Sequence, residues 1–125
     1  MAENFLKLND VRPYKRAYHL AGYVWDIVSK WNILAQKTIG EQFIRSTDSI
    51  AANIAEGFGR FGKRDKIKFY RYAYGSTYES LNWNQQAKDR GLVSKEQYDH
   101  ILQELQALPK EINGYIKLTN AKLQK

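Results

Sequence analysis

The sequence predicts an all-α protein, an antiparallel up-down-up-down four-helix bundle. Three observations carry this. Apolar residues recur at three- and four-residue spacing over four long stretches, the period of an amphipathic helix. There are only 2 prolines and no clear strand runs. Capping boxes and glycine exits separate the stretches by short connections, which make sequential helices antiparallel. A chain of 125 residues is expected to form one domain with a real core. No internal repeat or linker divides it.

Residues 1–12 read as a loosely ordered lead from which Phe5, Leu8 and Val11 can dock on the bundle. The first helix is expected over about Pro13 to Trp31, with proline in the first turn, where its missing N–H does no harm. Tyr14, Ala17, Tyr18, Ala21, Val24, Trp25, Val28 and Trp31 give it one wide apolar face. That face is rich in aromatics, which suit either the core or a neighbouring subunit. Thr38-Ile39-Gly40-Glu41 has the form of a capping box and is expected to open the second helix. Asp65 is the expected N-cap of the third, which ends at Lys88-Asp89-Arg90-Gly91, a basic last turn followed by glycine. Gly75 falls in its interior, at a cost of roughly 1 kcal/mol against alanine, and suggests a close helix contact, with the Ala51, Ala52, Ala55 surface as partner. Ser94-Lys95-Glu96-Gln97 forms another capping box and starts the fourth helix. Its apolar register runs from Tyr98 to Leu123 across Pro109, where a kink is expected.

The chain is organised around Arg45 to Arg60. Ile50, Ile54 and Phe58 mark a buried stripe, and Ser49, Ala51, Ala52 and Ala55 leave a surface another helix can approach. The second helix is expected to end near Gly57, since Gly57 and Gly59 can both take positive φ. The densest charge in the chain follows, Arg60-Phe61-Gly62-Lys63-Arg64-Asp65-Lys66-Ile67-Lys68.

The formal net charge is +7, which favours anionic partners: nucleic acid first, then an acidic membrane surface or an acidic protein. With no cysteine, disulfides, thiolate catalysis and Cys-based zinc sites are excluded. The N-terminal residues lack the apolar core of a signal peptide, and no apolar run approaches the roughly 20 residues a membrane span needs. A cytoplasmic protein is the expectation.

Gly57 to Lys63 satisfies both GxGxxG and GxxxxGK. Either nucleotide motif needs a strand before the glycines, and here a helix precedes them. Arg64 also stands where the second motif needs Ser or Thr for magnesium. Nucleotide hydrolysis and dinucleotide binding are therefore rejected. A basic glycine loop entering a helix remains, able either to hold the phosphates of a polymer or merely to be solvated. Lys66, Lys68 and Arg71 extend it, with Phe61, Phe69, Tyr70 and Tyr72 interleaved. Aromatic rings in such a patch can stack on unpaired bases, though most are expected in the core or an interface. Lys7, Arg12, Lys15 and Arg16 form a second cluster, at the same end of an up-down bundle.

Catalytic constellations are poor. His19 and His100 have no metal-spaced partner, and Glu56 and Glu79 lack the Glu-x-x-His companions of a di-metal site. No enzyme activity, cofactor or metal is expected. Arg45, Asn53, Glu56, Ser76 and Glu79 are read instead as a structural polar network, buried or interfacial, and Glu56 and Arg60 as an ion pair one turn apart.

The pattern Arg45, then Ser49-Ile50-Ala51-Ala52-Asn53-Ile54-Ala55-Glu56-Gly57-Phe58-Gly59-Arg60, then Gly75-Ser76-Thr77-Tyr78-Glu79, resembles the bacterial 23S rRNA intervening-sequence protein family. The family's Asn-Ile-Ala-Glu-Gly-x-Gly-Arg run and Gly-Ser-x-x-Glu helix are intact, and the departure is Tyr78 to Trp83, where a more aliphatic run is usual. That family is similar to accessory proteins of diversity-generating retroelements, which are pentameric four-helix bundles with basic surfaces. The resemblance implies a homo-oligomer, a pentamer, with an RNA- or DNA-binding surface. The leading expectation is nucleic-acid binding, RNA before DNA, through Arg60, Lys63, Arg64, Lys66, Lys68 and Arg71. The alternative is an oligomeric scaffold for an acidic protein.

Overall fold

The structure, a computed structural model, describes residues 7–123. A 3-10 turn, Leu8–Asp10, leads into α1, Arg12–Val28. A short helical turn, Ile33–Ala35, and a π-helical turn, Gln36–Gly40, run directly into α2, Glu41–Phe58. Then come α3, Lys63–Asp89, and α4, Lys95–Lys122. Each helix packs on two others, in the order α1, α2, α3, α4 and back to α1. Cross-helix pairs set the directions. Gly57 meets Tyr70 while Ser46 meets Ser80, so α2 and α3 run antiparallel. Tyr70 meets Tyr115 while Asn84 meets Tyr98, so α3 and α4 do too. Arg16 reaches Glu104 and Glu111, which closes α4 onto α1. The described residues thus form the expected up-down-up-down bundle.

One hydrophobic cluster fills the centre. Leu20 and Val24 of α1, Phe43, Ile50 and Ile54 of α2, and Ile101, Leu105, Leu108 and Ile112 of α4 are buried in it. The contribution of α3 is different: besides Ile67 and Tyr70 it buries Ala73, Thr77, Ser80, Asn84 and Ala87. Small side chains let α3 approach α2, and their hydroxyls need partners once dry. Thr77 Oγ1 donates to the Ala73 carbonyl at 2.9 Å, Thr47 Oγ1 to that of Phe43 at 3.0 Å, and the Ser46 and Ser80 hydroxyls lie 2.8 Å apart across the helix pair.

Several boundaries depart from expectation. The second helical segment starts at Asn32, whose side chain accepts from the Ala35 N–H at 2.9 Å. Thr38 is therefore no cap. Its hydroxyl donates back to the Leu34 carbonyl at 2.7 Å, the usual outlet for a mid-helix threonine. α1 ends at Val28, short of Trp31. Gly62 occupies the N-cap of α3, which puts Asp65 in the first turn. The box at Ser94 and Gln97 forms as expected, with bonds of 3.0 and 2.9 Å. α4 is continuous across Pro109. Val11 is fully buried and Leu8 packs partly on the core, while Phe5 lies outside the described residues.

The glycines do different work from the work expected. Neither Gly57 nor Gly59 has positive φ; among the described residues only Gly91 does, at 70°, closing α3. Gly57 is needed for proximity instead. A Cβ there would lie 2.8 and 2.9 Å from the Tyr70 ring and 3.0 Å from the Lys66 carbonyl oxygen. Gly75 makes no close helix contact: a Cβ on it meets nothing within 4 Å. Opposite signs follow for the same substitution. Gly57→Ala should destabilise the fold by about 1–3 kcal/mol through overpacking. Gly75→Ala should stabilise it by roughly 1 kcal/mol through helix propensity. Urea unfolding of both variants checks this, and equal shifts would contradict it.

Candidate nucleic-acid interface

α2 ends with its carbonyls pointing at the next connection, where they need donors. Gly59 and Arg60 turn back in backbone bonds to Ala55 and Gly57. The Lys66 ammonium, from the first turns of α3, donates to the Phe58 carbonyl at 2.8 Å and the Gly57 carbonyl at 3.3 Å. It also lies 5.7 Å from the Phe58 ring centre. Desolvation there lowers the Lys66 pKa. Lys66 is thus engaged in fastening the α2–α3 turn, with its ammonium turned to backbone carbonyls.

The other cations of this segment sit differently. Arg60 pairs with Glu56 at 2.6 and 2.9 Å, the i,i+4 pair the spacing anticipates. Its guanidinium lies 4.8 Å from the Phe69 ring centre, which Lys68 also approaches at 5.3 Å. Lys63, Arg64, Lys68 and Arg71 form no ion pair among the described residues, and all but half-buried Lys63 are exposed. Phe61, between these cations at the tip of the turn, is 98% exposed. Phe69 is half-buried and Tyr70 is in the core.

In the second cluster Arg16 is held by Glu111, through two bonds of 3.0 Å, and by Glu104 at 2.8 Å. These partners raise its pKa against desolvation, with the Glu111 hydrogen bond foremost. Arg12 and Lys15 remain exposed beside it, around an open hollow of about 540 Å³ that Asn9, Asp10, His19 and Glu104 also line.

Bundle topology gathers these groups at one end, where α1 and α3 begin and α2 and α4 finish. Residues 7–20, 50–76 and 104–123 make up that half, with 13 Lys and Arg against 5 Asp and Glu. Residues 21–49 and 77–103 make up the other, with 6 against 7. All the excess positive charge of the described residues is therefore at one end. Lys117 and Lys122 on the last turns of α4 belong to it. Sequence reasoning missed them because their isolated spacing along α4 gives no sign of the cations they join. The signal that would have found them is direction: in an up-down bundle a basic C-terminal turn lies beside the basic start of the third helix.

The five residues expected to form a polar network make no hydrogen bond or ion pair to one another among the described residues, each having its own local partner. Asn53 Nδ2 donates to the Ser49 carbonyl at 2.9 Å, and Glu79 accepts from the Trp83 indole at 3.3 Å. Arg45 is exposed and 3.9 Å from Glu41, Glu56 is occupied with Arg60, and the Ser76 carbonyl accepts from Ser80. None of the five is buried.

The model of the 23S rRNA-intervening sequence protein family matches residues 9–114. Among solved structures, a protein of unknown function from the S23 ribosomal protein family of Bacteroides thetaiotaomicron superposes with a TM-score of 0.76 at 23% identity, covering 84% of this chain and 98% of that one. That likeness establishes the shared fold. No curated protein matches the sequence. With the family model spanning nearly all of the bundle, from the turn before α1 to the last third of α4, this chain belongs to the 23S rRNA-intervening sequence protein family.

Proposed function

We propose that the protein is a non-enzymatic, oligomeric nucleic-acid-binding bundle that engages RNA in preference to DNA through its basic end. The observation that carries this is the one-ended charge. A surface holding the excess cations, several without an ion-pair partner among the described residues, attracts a polyanion and releases its counterions. Lys63, Arg64, Lys68 and Arg71 are assigned to phosphate contacts, with Arg12 and Lys15 on the same end. Arg60 contributes from its pair with Glu56. The preference for RNA rests on the family resemblance. A basic end suits an acidic protein equally in sign, and the salt slope separates the two, because counterion release scales with the phosphates neutralised.

Neutralising Lys63, Arg64 and Arg71 together to Gln spares Lys66, which the α2–α3 turn requires. That variant should weaken binding to an RNA oligomer by tenfold or more. It should also flatten the slope of log affinity against log salt by about 2 units, as expected for three lost phosphate contacts. Unchanged affinity and slope in a folded variant would remove these residues from the site.

Self-association is the second part of the reading. On the α1–α2 face Trp25 is 58% and Tyr18 60% exposed; both line a hollow with Ala21 and Ala51, and Trp25 lines a second with the half-buried Ser49 and Ile44. Asp48 borders the same hollows, and burial raises its carboxyl pKa. Large apolar side chains around a partly desolvated carboxylate suit a protein partner. The partner assigned is a second copy, whose basic end complements the carboxylates Glu41 and Asp48. Such a contact joins two different faces, and unlike-face contacts give a ring where the rotation between copies closes and a filament where it does not. A five-membered ring is the assembly the resemblance implies. Trp25→Glu should reduce the mass measured by sedimentation to that of one chain while leaving helix content intact. An oligomer of unaltered mass would exclude this face.

A further inference from the structure

Among the described aromatics of the basic segment, Phe61 is the one that packs on no neighbour; Tyr72, 50% exposed, stands edge-on to Phe69. Phe58 packs partly on the core under Lys66, Phe69 lies beneath Arg60 and Lys68, and Tyr70 is buried against Gly57. Phe61 is 98% exposed. A phenyl ring in water gives up the burial that normally justifies its presence, and Lys, Ser or Asn would serve a plain turn as well. Its immediate surroundings are specific. Arg60 precedes it, Gly62 follows without a side chain to cover the ring, and Lys63 and Arg64 open α3 directly afterwards. The segment is also firmly placed. Lys66 fastens its base to the last carbonyls of α2, and Glu56 restrains Arg60.

We infer that Phe61 is a stacking platform for one unpaired base, so that the basic end takes single-stranded nucleic acid in preference to duplex. The inference rests on the nucleic-acid reading and adds the class of strand. Lys63 and Arg64 neutralise the phosphates flanking the base whose face lies on the ring. Stacking asks only for an accessible base face, which every unpaired nucleotide has and which a duplex hides between neighbouring pairs. Recognition by such a ring is tolerant of sequence. The ring carries no charge, so its contribution does not depend on salt, whereas that of Lys63 and Arg64 does.

The test measures affinity of the full chain for a fluorescent single-stranded RNA oligomer and for a duplex of the same length, across a salt series. Phe61→Ala should lose about tenfold on the single strand, the usual size of one base–aromatic contact, and nothing on the duplex. The salt slope should stay that of the wild type, and Phe61→Trp should restore affinity. Because the side chain touches nothing in the fold, melting should be unchanged in both variants. Equal losses on both ligands, or no loss on the single strand, would overturn the inference. So would wild-type binding to anionic vesicles that Phe61→Ala abolishes while single-strand affinity stays the same. Loss of binding in a Lys63→Gln, Arg64→Gln variant but not in Phe61→Ala would sink the stacking platform alone. A wild type that binds neither oligomer at low salt would sink the nucleic-acid reading with it.

Discussion

The close approach of α2 and α3 is the constraint on which the rest of the molecule depends. Gly57 lies directly against the Tyr70 ring and the Lys66 carbonyl, and two turns of small polar residues, Ser46 with Ser80 and Thr77 beside them, keep the pair together further along. The contact is dry, so every hydroxyl in it returns to a carbonyl or to another hydroxyl. Tyr70 shows how apolar the contact is, since burial first, and Tyr115 second, push its phenol up to about 12. With the last turn of α2 held in this way, the Lys66 ammonium falls within reach of the Phe58 carbonyl and ends the helix. The exposed turn with Phe61 is a consequence: its two ends are fixed by packing, and its tip has nothing to pack on.

The same geometry accounts for the electrostatics. Antiparallel helices superimpose the start of one on the end of the next. A basic first turn in α1 and α3 and a basic last turn in α4 therefore meet at one end of the bundle. Within that end the cations divide by what they touch. Lys66 and Arg16 are spent on carbonyls and carboxylates of the fold, and Arg60 is shared between Glu56 and Phe69. Lys63, Arg64, Lys68 and Arg71 are left to act on solvent or on a ligand. Opposite in character is the α1–α2 face with Trp25, Tyr18 and Asp48, which is apolar and faintly acidic.

The four helices and the buried stripes of α2, α3 and α4 were legible because each is periodic over several turns, whereas in α1 Leu20 and Ile27 are buried and Tyr18 and Trp25 of the expected face are exposed. Local marks were read less well when two of them competed. Thr38 with Glu41 has the form of a capping box, but Asn32 caps earlier and the helix simply continues through it. Gly57 resembles a helix stop, yet the deciding fact is the Tyr70 ring, thirteen residues away in sequence and invisible to local pattern. The candidate site was legible as a run of charge, but its internal division was not. Lys66 and Lys68 differ by one half-turn of helix, and only the tertiary position of the α2 carbonyls separates a structural lysine from an available one. The polar set Arg45, Asn53, Glu56, Ser76 and Glu79 reads as a buried or interfacial network because polar residues among alanines suggest desolvation. None of the five is buried within one chain, so only the interfacial form of that reading is left.

The most direct test of the one-ended surface is amide chemical-shift mapping of the protein titrated with a short single-stranded RNA. The account predicts perturbations confined to the turn around Phe61, the first turns of α3 and α1, and the last turns of α4, with residues 88–99 at the far end unmoved. Perturbations centred on that far end, or none at all at low salt, would contradict it.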